Sequence, residues 1–474
     1  MKKYILTFIA LTTLWSCQTD EQYQDLNKDP KNPTAVASDF LFTAATVSLA
    51  DQMASPNVNL NVFRFLAQYL TETTYTDEVN YDLIGRNIPQ NHWSEIYRDV
   101  IFDIQDAKSI VMNNPDLDQS EKDARLGQLE VVEVYAWHVL VDTFGDVPYT
   151  QAVNSEEYPL PAYDDAATIY QDLITRLDNV NAKLSAGQGY SSADVIFGGD
   201  MNQWMLFANS LRLRLAMRIA DVNPELSKST AEAAVQDGVF SSLDESATIA
   251  YEGNSPNTNP LWEDLVQSGR NDYLITNTIV DIMKPIDDPR MSAYFTDNKA
   301  EYTGAPYGDN NSYTSYTHIG QAFLDPTHPG IFLDYPEVEF YLAEAAQRGY
   351  NVGGTAGEHY NTAVTASIEY WGGTEAEANA YLSQPEVAYD AANWRKSIGT
   401  QFWIAMFDDP FEGWSVWRKF DAPKLNLPAI EQLPVPLRYT YPINEQNLNE
   451  ANYNAASDAI GGDDQQTPLF WDVQ

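Results

Sequence analysis

From Ser38 onward, apolar side chains return every three or four positions, and that spacing decides what this chain can become. Trp93, Ile96, Tyr97, Val100, Ile104, Ala107 and Val111 draw one long stripe. Leu129, Val132, Ala136, Val139, Leu140 and Thr143 draw another, which Gly145 and Pro148 end. Ile169, Leu173, Leu177, Val180 and Leu184 follow, with Asp164 or Asp165 available as N-cap, and then Trp204, Phe207, Ala208, Leu211, Leu215 and Ile219. Val62, Phe65, Leu66, Tyr69 and Leu70 carry the same period. Each stripe buries one helix face and leaves charge on the other. A sheet needs alternation on a period of two, which is confined to short pieces such as 248–251. The predicted class is mainly α.

Residues 336–372 read as a helix pair. Phe340, Leu342, Ala345 and Ala346 line the first helix, and Gly353, Gly354 and Gly357 make the turn. Tyr360, Ala363, Val364, Ser367 and Ile368 line the second, and the pair resembles a tetratricopeptide unit. No strict period of about 34 residues recurs elsewhere, so further repeats are degenerate. Two stretches, 71–91 and 253–336, break the helical pattern and are rich in aromatics and turn formers. Long irregular segments of this kind tend to carry function.

The N-terminus is of a different character. Met1-Lys2-Lys3 is positive, and Tyr4 to Trp15 is an apolar run too short to span a bilayer but suited to a signal peptide. Leu14-Trp15-Ser16-Cys17 resembles a bacterial lipobox, in which the cysteine becomes the lipidated first residue; the bland alternative is a buried free thiol. The expected organisation is a leader over 1–16, a lipidated tether over 17–34 and a single helical domain over 35–474. The acidic Gln18-Thr19-Asp20-Glu21 resembles a signal for export to the cell exterior. Asp25-Leu26-Asn27-Lys28-Asp29 opens like a calcium loop, yet Pro30 and Val36 stand where that loop needs glycine and glutamate, so no metal is expected.

Charge narrows the partners. With 27 basic and 68 acidic residues the net charge is −41, which leaves little to build a basic face, and nucleic acid is not expected as a partner. Acidic ligands are disfavoured for the same reason, which leaves neutral or basic ones. A lone cysteine allows neither an intrachain disulfide nor a cysteine metal cluster. The five histidines show no HExxH spacing, and neither a nucleophile elbow nor a phosphate loop is present. Asp287-Asp288 and Asp408-Asp409 are the candidates for a glycosidase pair, but acidic doublets in polar loops read as solvated turns. The chain is therefore read as a binding protein without cofactor.

Aromatic residues are the more informative feature, at 12% with 29 tyrosines. A tyrosine in a rigid loop offers a flat apolar face and a polar edge, and pyranose rings stack on such faces while amides and charged groups take their hydroxyls. Trp93, Trp137, Trp204 and Trp403 lie on helical stripes and read as core. Tyr75, Asn80, Tyr81, Trp262, Tyr273, Tyr307, Tyr313 and Tyr316 lie in the two irregular stretches and are the candidate ligand-binding residues.

Several segments together carry a resemblance. They are the leader with Cys17, Leu26-Asn27-Lys28-Asp29-Pro30, Phe65-Leu66-Ala67-Gln68-Tyr69-Leu70-Thr71-Glu72, and Asp142-Thr143-Phe144-Gly145-Asp146-Val147-Pro148-Tyr149. Arg270-Asn271-Asp272-Tyr273, Asp288-Pro289-Arg290, Glu339 to Ala345 and Gln401 to Phe407 follow. Glu412-Gly413-Trp414, Trp417-Arg418-Lys419-Phe420, Arg438-Tyr439-Thr440-Tyr441-Pro442 and Glu445 close the series. In this order, across nearly the whole chain, they resemble the SusD/RagB outer-membrane lipoproteins.

That resemblance implies a helical body of tetratricopeptide-like pairs with loops forming a shallow ligand site. It implies a lipoprotein held in the outer membrane by Cys17, facing the exterior, that captures oligosaccharides for a SusC-type TonB-dependent transporter. Some relatives take peptides, so peptide capture stays open, with a surface glycosidase or a pure scaffold behind it. The resemblance further implies structural roles: Arg418 and Arg438 pair with carboxylates and Tyr149 packs. Ligand residues of the family lie in variable loops and do not transfer by motif. Replacing Cys17→Ser is expected to abolish incorporation of labelled palmitate and move the protein to the soluble fraction; label retained in the variant overturns the lipobox reading.

Overall fold

A computed structural model describes residues 36–296 and 301–473; the expected leader, Cys17, the tether and residues 25–29 lie outside the described residues. The long stripes become helices where the sequence puts them. Helix α1 spans Ser38–Ala54. The stripe from Trp93 to Val111 is one continuous helical run, α2 (Ile88–Ser94) and α3 (Phe102–Asn113) joined by a π-helical turn over Glu95–Ile101. Helix α4 (Gln119–Phe144) starts on a capping box: Asp118 Oδ1 accepts from Glu121 N at 2.9 Å and Glu121 Oε2 accepts from Asp118 N at 3.3 Å. Asp165, not Asp164, caps α5 (Ala166–Asp178). Asp164 instead accepts from the Tyr149 and Thr150 amides at 3.0 and 2.8 Å and fixes the loop leaving α4.

Helices α6 (Met201–Arg218) and α7 (Pro224–Asp237) pack together, as do α8 (Tyr335–Gln347) and α9 (Ala356–Tyr370), the expected pair. Gly353 and Gly354 sit at φ +81° and +58° in its turn, a conformation that costs side-chain-bearing residues energy. Gly357 lies inside α9 rather than in the turn. Helices α10 (Glu375–Leu382), α11 (Trp394–Ala405) and α12 (Pro410–Phe420) complete the main body.

One stripe is not the helix its period implies. Only Phe63–Leu66 is helical; Gln68 turns the chain at φ +57° into strand β1 (Leu70–Glu72). Val62, Phe65, Leu66, Tyr69 and Leu70 are nevertheless all buried, because the segment is enclosed on every side. The Gln68 side chain holds the turn: its amide donates to Asn426 O at 2.6 Å and Tyr81 Oη at 3.1 Å, and its oxygen accepts from Thr278 Oγ1 at 2.7 Å. Gly413 is required beside it, since a Cβ there would fall 2.2 Å from Tyr69 Oη.

Strands are short. β1 pairs antiparallel with β3 (Tyr273–Ile275), β2 (Ala247–Ile249) with β6 (Gly330–Leu333), and β4 (Phe295–Thr296) with β5 (His318–Ile319). The β1–β3 pair stitches the two irregular stretches together.

The centre of the body is ionic. Arg214 and Arg218, one turn apart on α6, are both buried. Arg214 grips Glu337 of α8 through two bonds of 2.6 and 2.8 Å. Arg218 donates to Asp142 of α4 at 3.1 Å and to Glu412 of α12 at 2.6 Å. Tyr341 donates to the other Glu412 oxygen at 2.7 Å, and Tyr170 and Trp471 donate to Asp142 Oδ1 at 2.6 and 2.8 Å. Arg438 pairs with Asp463 at 2.6 Å. Arg418 departs from expectation: its guanidinium lies 3.5 Å from the Trp414 ring centroid and donates to the Asp142 and Leu437 carbonyls at 2.8 and 2.9 Å. Carbonyls and an indole face, rather than a carboxylate, satisfy it. Tyr149 packs edge-on against Trp137 at 4.7 Å.

Removing one partner of a buried pair leaves the other charge unmatched. Glu412→Ala is therefore expected to cost about 3–5 kcal/mol in urea unfolding, and a loss under about 1 kcal/mol refutes the central role of this pair.

Candidate functional site

The β1–β3 pairing brings Glu72 opposite Tyr273 and places the two irregular stretches side by side. Just past β1, Thr73 binds the neighbouring turn twice, through N to Asp272 O and Oγ1 to Asn271 O, both at 2.8 Å. These bonds set the direction of Tyr75, which adopts φ +60° and is 66% exposed. A left-handed, non-glycine residue with a bare aromatic ring is a strained arrangement of the kind found at binding sites.

Two adjoining hollows open here and share Arg270, Asp272 and Tyr273. The first, about 210 Å³, is lined by Asn57, Glu72, Tyr75, Arg86 and Asp264 besides those three. The second, about 180 Å³, adds Leu265, Thr296, Tyr313, His318 and Gln321. Between them Arg270 and Asp272 form a partly exposed ion pair. Tyr313 lies flat on His318, with ring centroids 4.0 Å apart and planes 15° from parallel, and His318 Nε2 contacts Tyr313 O at 2.8 Å. Burial holds the Tyr273 hydroxyl protonated, well above its ordinary range, so it serves as a donor. The face thus offers two aromatic surfaces with charged and amide groups between them, suited to hydrogen bonding and stacking.

Of the eight residues picked from sequence, Tyr75, Tyr273 and Tyr313 line these hollows. Asn80, Tyr81 and Tyr307 do not belong with them and are corrected to structural residues. Asn80 ties Thr76 O, Gly308 O and Glu431 N at 2.7, 3.1 and 3.1 Å. Tyr81 is buried and accepts from Gln68, while Tyr307 is buried and donates to Phe65 O at 2.8 Å. Trp262 and Tyr316 are half-buried and line neither hollow. Sequence reasoning passed over Arg86 and Asp264 and read His318 as an ordinary loop histidine. The spacing Arg270-Asn271-Asp272-Tyr273, in a turn before a strand, was the available signal.

The acidic doublets are not solvated turns. Asp288, Asp408 and Asp409 are buried, and only Asp287 of the four is exposed. Arg290 grips Asp288 at 2.9 and 2.6 Å, and Tyr381 donates to it at 2.7 Å. Asp408 lies between Arg64 at 3.3 Å and His328 at 2.7 Å, and Asp409 caps α12 by accepting from Glu412 N at 3.1 Å. Asp288 and Asp408 thus brace the elements they join, and Asp409 caps a helix.

A larger groove, about 990 Å³, lies elsewhere, beside α11. Its tryptophan, Trp394, carries the Arg348 and Arg395 guanidiniums at 5.3 and 4.8 Å from its ring, and Arg395 is tied to Asp221 at 2.7 Å. With its ring already engaged, this groove lacks the open stacking surface that Tyr75 presents.

A family described as SusD-like, starch-binding associating with outer membrane, matches residues 30–442. The chain belongs to this SusD-like family. Its solved relatives extend the agreement to the fold. A protein described as a chitin-binding protein is 26% identical, with a TM-score of 0.80 over 92% of this chain and 100% of the other. A chitin-binding SusD homologue from Flavobacterium johnsoniae is 26% identical, with a TM-score of 0.78 over 92% and 98%. A SusD homologue from Bacteroides thetaiotaomicron, 23% identical with a TM-score of 0.77 over 93% and 100%, shares the fold. Among curated proteins no match is found. Among the described residues no helix is long and apolar enough to cross a membrane.

The two kinds of tyrosine separate experimentally. Tyr75→Ala is expected to leave stability within about 0.5 kcal/mol, whereas Tyr307→Ala, which empties a core position, costs about 3–5 kcal/mol. Urea unfolding of both variants checks the assignment, and equal losses would refute it.

Proposed function

We propose that this SusD-like protein captures oligosaccharides at the outer membrane and delivers them to a SusC-type TonB-dependent transporter. Lipidated Cys17 holds it there, facing the exterior, with residues 17–34 as tether and 35–474 as the capture domain. The observation that carries this reading is the exposed Tyr75 and the Tyr313–His318 stack flanking the Arg270–Asp272 pair. Sugar rings bind such surfaces through C–H faces on aromatics and hydroxyls on charged edges. Membership of a family described as starch-binding and outer-membrane associated supports it, as do relatives described as chitin-binding. The absorption of Asp288, Asp408 and Asp409 into structural pairs supports binding without turnover.

Calorimetry of the protein from residue 18 onward, against neutral glucan and chitin-type oligosaccharides and a set of peptides, tests this with product analysis on the same samples. Binding without shortened products is the expected result. Tyr75→Ala and Tyr313→Ala should each weaken it by about 0.5–1.5 kcal/mol, or roughly 2- to 12-fold in Kd. Shortened products make the protein an enzyme, and binding of peptides in place of every sugar makes it a peptide receptor.

A further inference from the structure

Tyr273 is a buried tyrosine whose hydroxyl the fold does not use. The residue is 9% exposed, and its ring packs against Phe65 with centroids 5.8 Å apart. Other buried tyrosines commit their hydroxyls to the protein: Tyr294 donates to Ile404 O at 3.0 Å, Tyr307 to Phe65 O at 2.8 Å and Tyr341 to Glu412 at 2.7 Å. Tyr190 and Tyr441 lack partners too, but their hydroxyls are sealed from solvent. The Tyr273 hydroxyl makes no hydrogen bond among the described residues and is not sealed; it opens into the hollows that its side chain lines. A polar group held in a buried side chain and left unmatched by the protein points to a partner from outside.

Its position says what that partner is. Tyr273, Arg270 and Asp272 are the residues common to both hollows, so they form the wall between them. Tyr75 lines the hollow on one side of this wall and Tyr313 the hollow on the other. At about 210 and 180 Å³, each lies below the roughly 300–1,000 Å³ that encloses a drug-sized ligand, and each suits a single pyranose ring. The β1–β3 pairing, with Glu72 opposite Tyr273, sets the phenol at the wall before any ligand arrives.

We infer that Tyr273 is a specificity-determining residue that reads the junction of two linked sugar rings, one seated against Tyr75 and the next against Tyr313. This rests on the glycan-capture reading and defines its substrate as a chain of at least two rings, whose linkage presents an acceptor oxygen to the Tyr273 hydroxyl. The hydroxyl acts as donor because burial, and then the Asp264, Glu72 and Asp272 carboxyls, hold its proton on. A single sugar fills one hollow only, whereas two linked rings cover both aromatic surfaces and bring an oxygen to the wall. A site with a polar group placed in this way discriminates against ligands that leave it unmatched.

The probes are glucose, N-acetylglucosamine, and α-1,4-glucose, β-1,4-glucose and β-1,4-N-acetylglucosamine oligomers of two to six rings. Calorimetry follows the oligomers and NMR titration the single sugars. In the series that binds, affinity is expected to rise about tenfold or more from one ring to two, and by less with each further ring. Tyr273→Phe removes one oxygen and keeps the ring on Phe65. It should weaken the two-ring ligand by roughly 2- to 12-fold and leave the single sugar unchanged. The urea midpoint should stay where it is, since the hydroxyl bonds nothing in the fold. Tyr75→Ala and Tyr313→Ala should each flatten the step from one ring to two, and they carry the test if Tyr273→Phe does not fold. Unchanged two-ring affinity in Tyr273→Phe, an equal loss for one ring and two, or a lowered urea midpoint overturns the inference while leaving glycan capture standing. So does equal affinity at every length, or a step that survives both alanine substitutions. If no sugar binds at any length, glycan capture itself falls.

Discussion

Arg214 and Arg218 organise this molecule. From adjacent turns of α6 they reach carboxylates on α4, α8 and α12, so the helices that build the body converge on two guanidiniums. Hydrophobic stripes alone would let such helices slide or rotate over one another at little cost. A two-bond grip on Glu337 and a bridge between Asp142 and Glu412 accept one arrangement, because any other leaves a charge buried and unmatched. Desolvation makes such a lattice a costly route to stability, and specification of one packing is the hypothesis that best accounts for it. Hydroxyls of Tyr170 and Tyr341 and the Trp471 indole take the remaining carboxylate oxygens.

That lattice explains which parts of the fold were legible in sequence. The stripes of α3 and α5 became helices because one face meets the core and the other meets water, the condition under which periodicity carries information. Helices α4 and α6, buried all round over 131–144 and 207–218, sustain their period for several turns from capped starts. Residues 62–70 form a much shorter stripe that Gln68 breaks in a left-handed turn, so their period reported burial and not a long helix. The acidic doublets were misread for a related reason. Asp408 is 344 positions from Arg64, and Asp288 needs Tyr381 and a buried setting to show its role. Local polarity says nothing of partners that distant.

The face around Tyr75 shows the same limit from the other direction. Turn-rich context marked two irregular stretches, but it could not separate ring faces turned outward from those turned inward. Tyr81 and Tyr307 lie 6.0 Å apart in the core, while Tyr75, from the same stretch as Tyr81, points outward. Charged neighbours such as Arg86 and Asp264 were invisible because their grouping arises only when β1 and β3 pair. Family membership supplies the body on which these loops stand; the chemistry of the hollows belongs to this chain.

Thr73 also has a thermodynamic consequence. Its two bonds to residues 271 and 272 fix the backbone leading to Tyr75 before any ligand arrives. Ordering a mobile loop at the moment of contact would subtract from affinity, at about 0.5–1.5 kcal/mol for each side chain immobilised. Here that entropy is surrendered once, during folding. Were such a small, open platform to hold a sugar as proposed, it would do so without closing over it, and nothing would have to reopen before release.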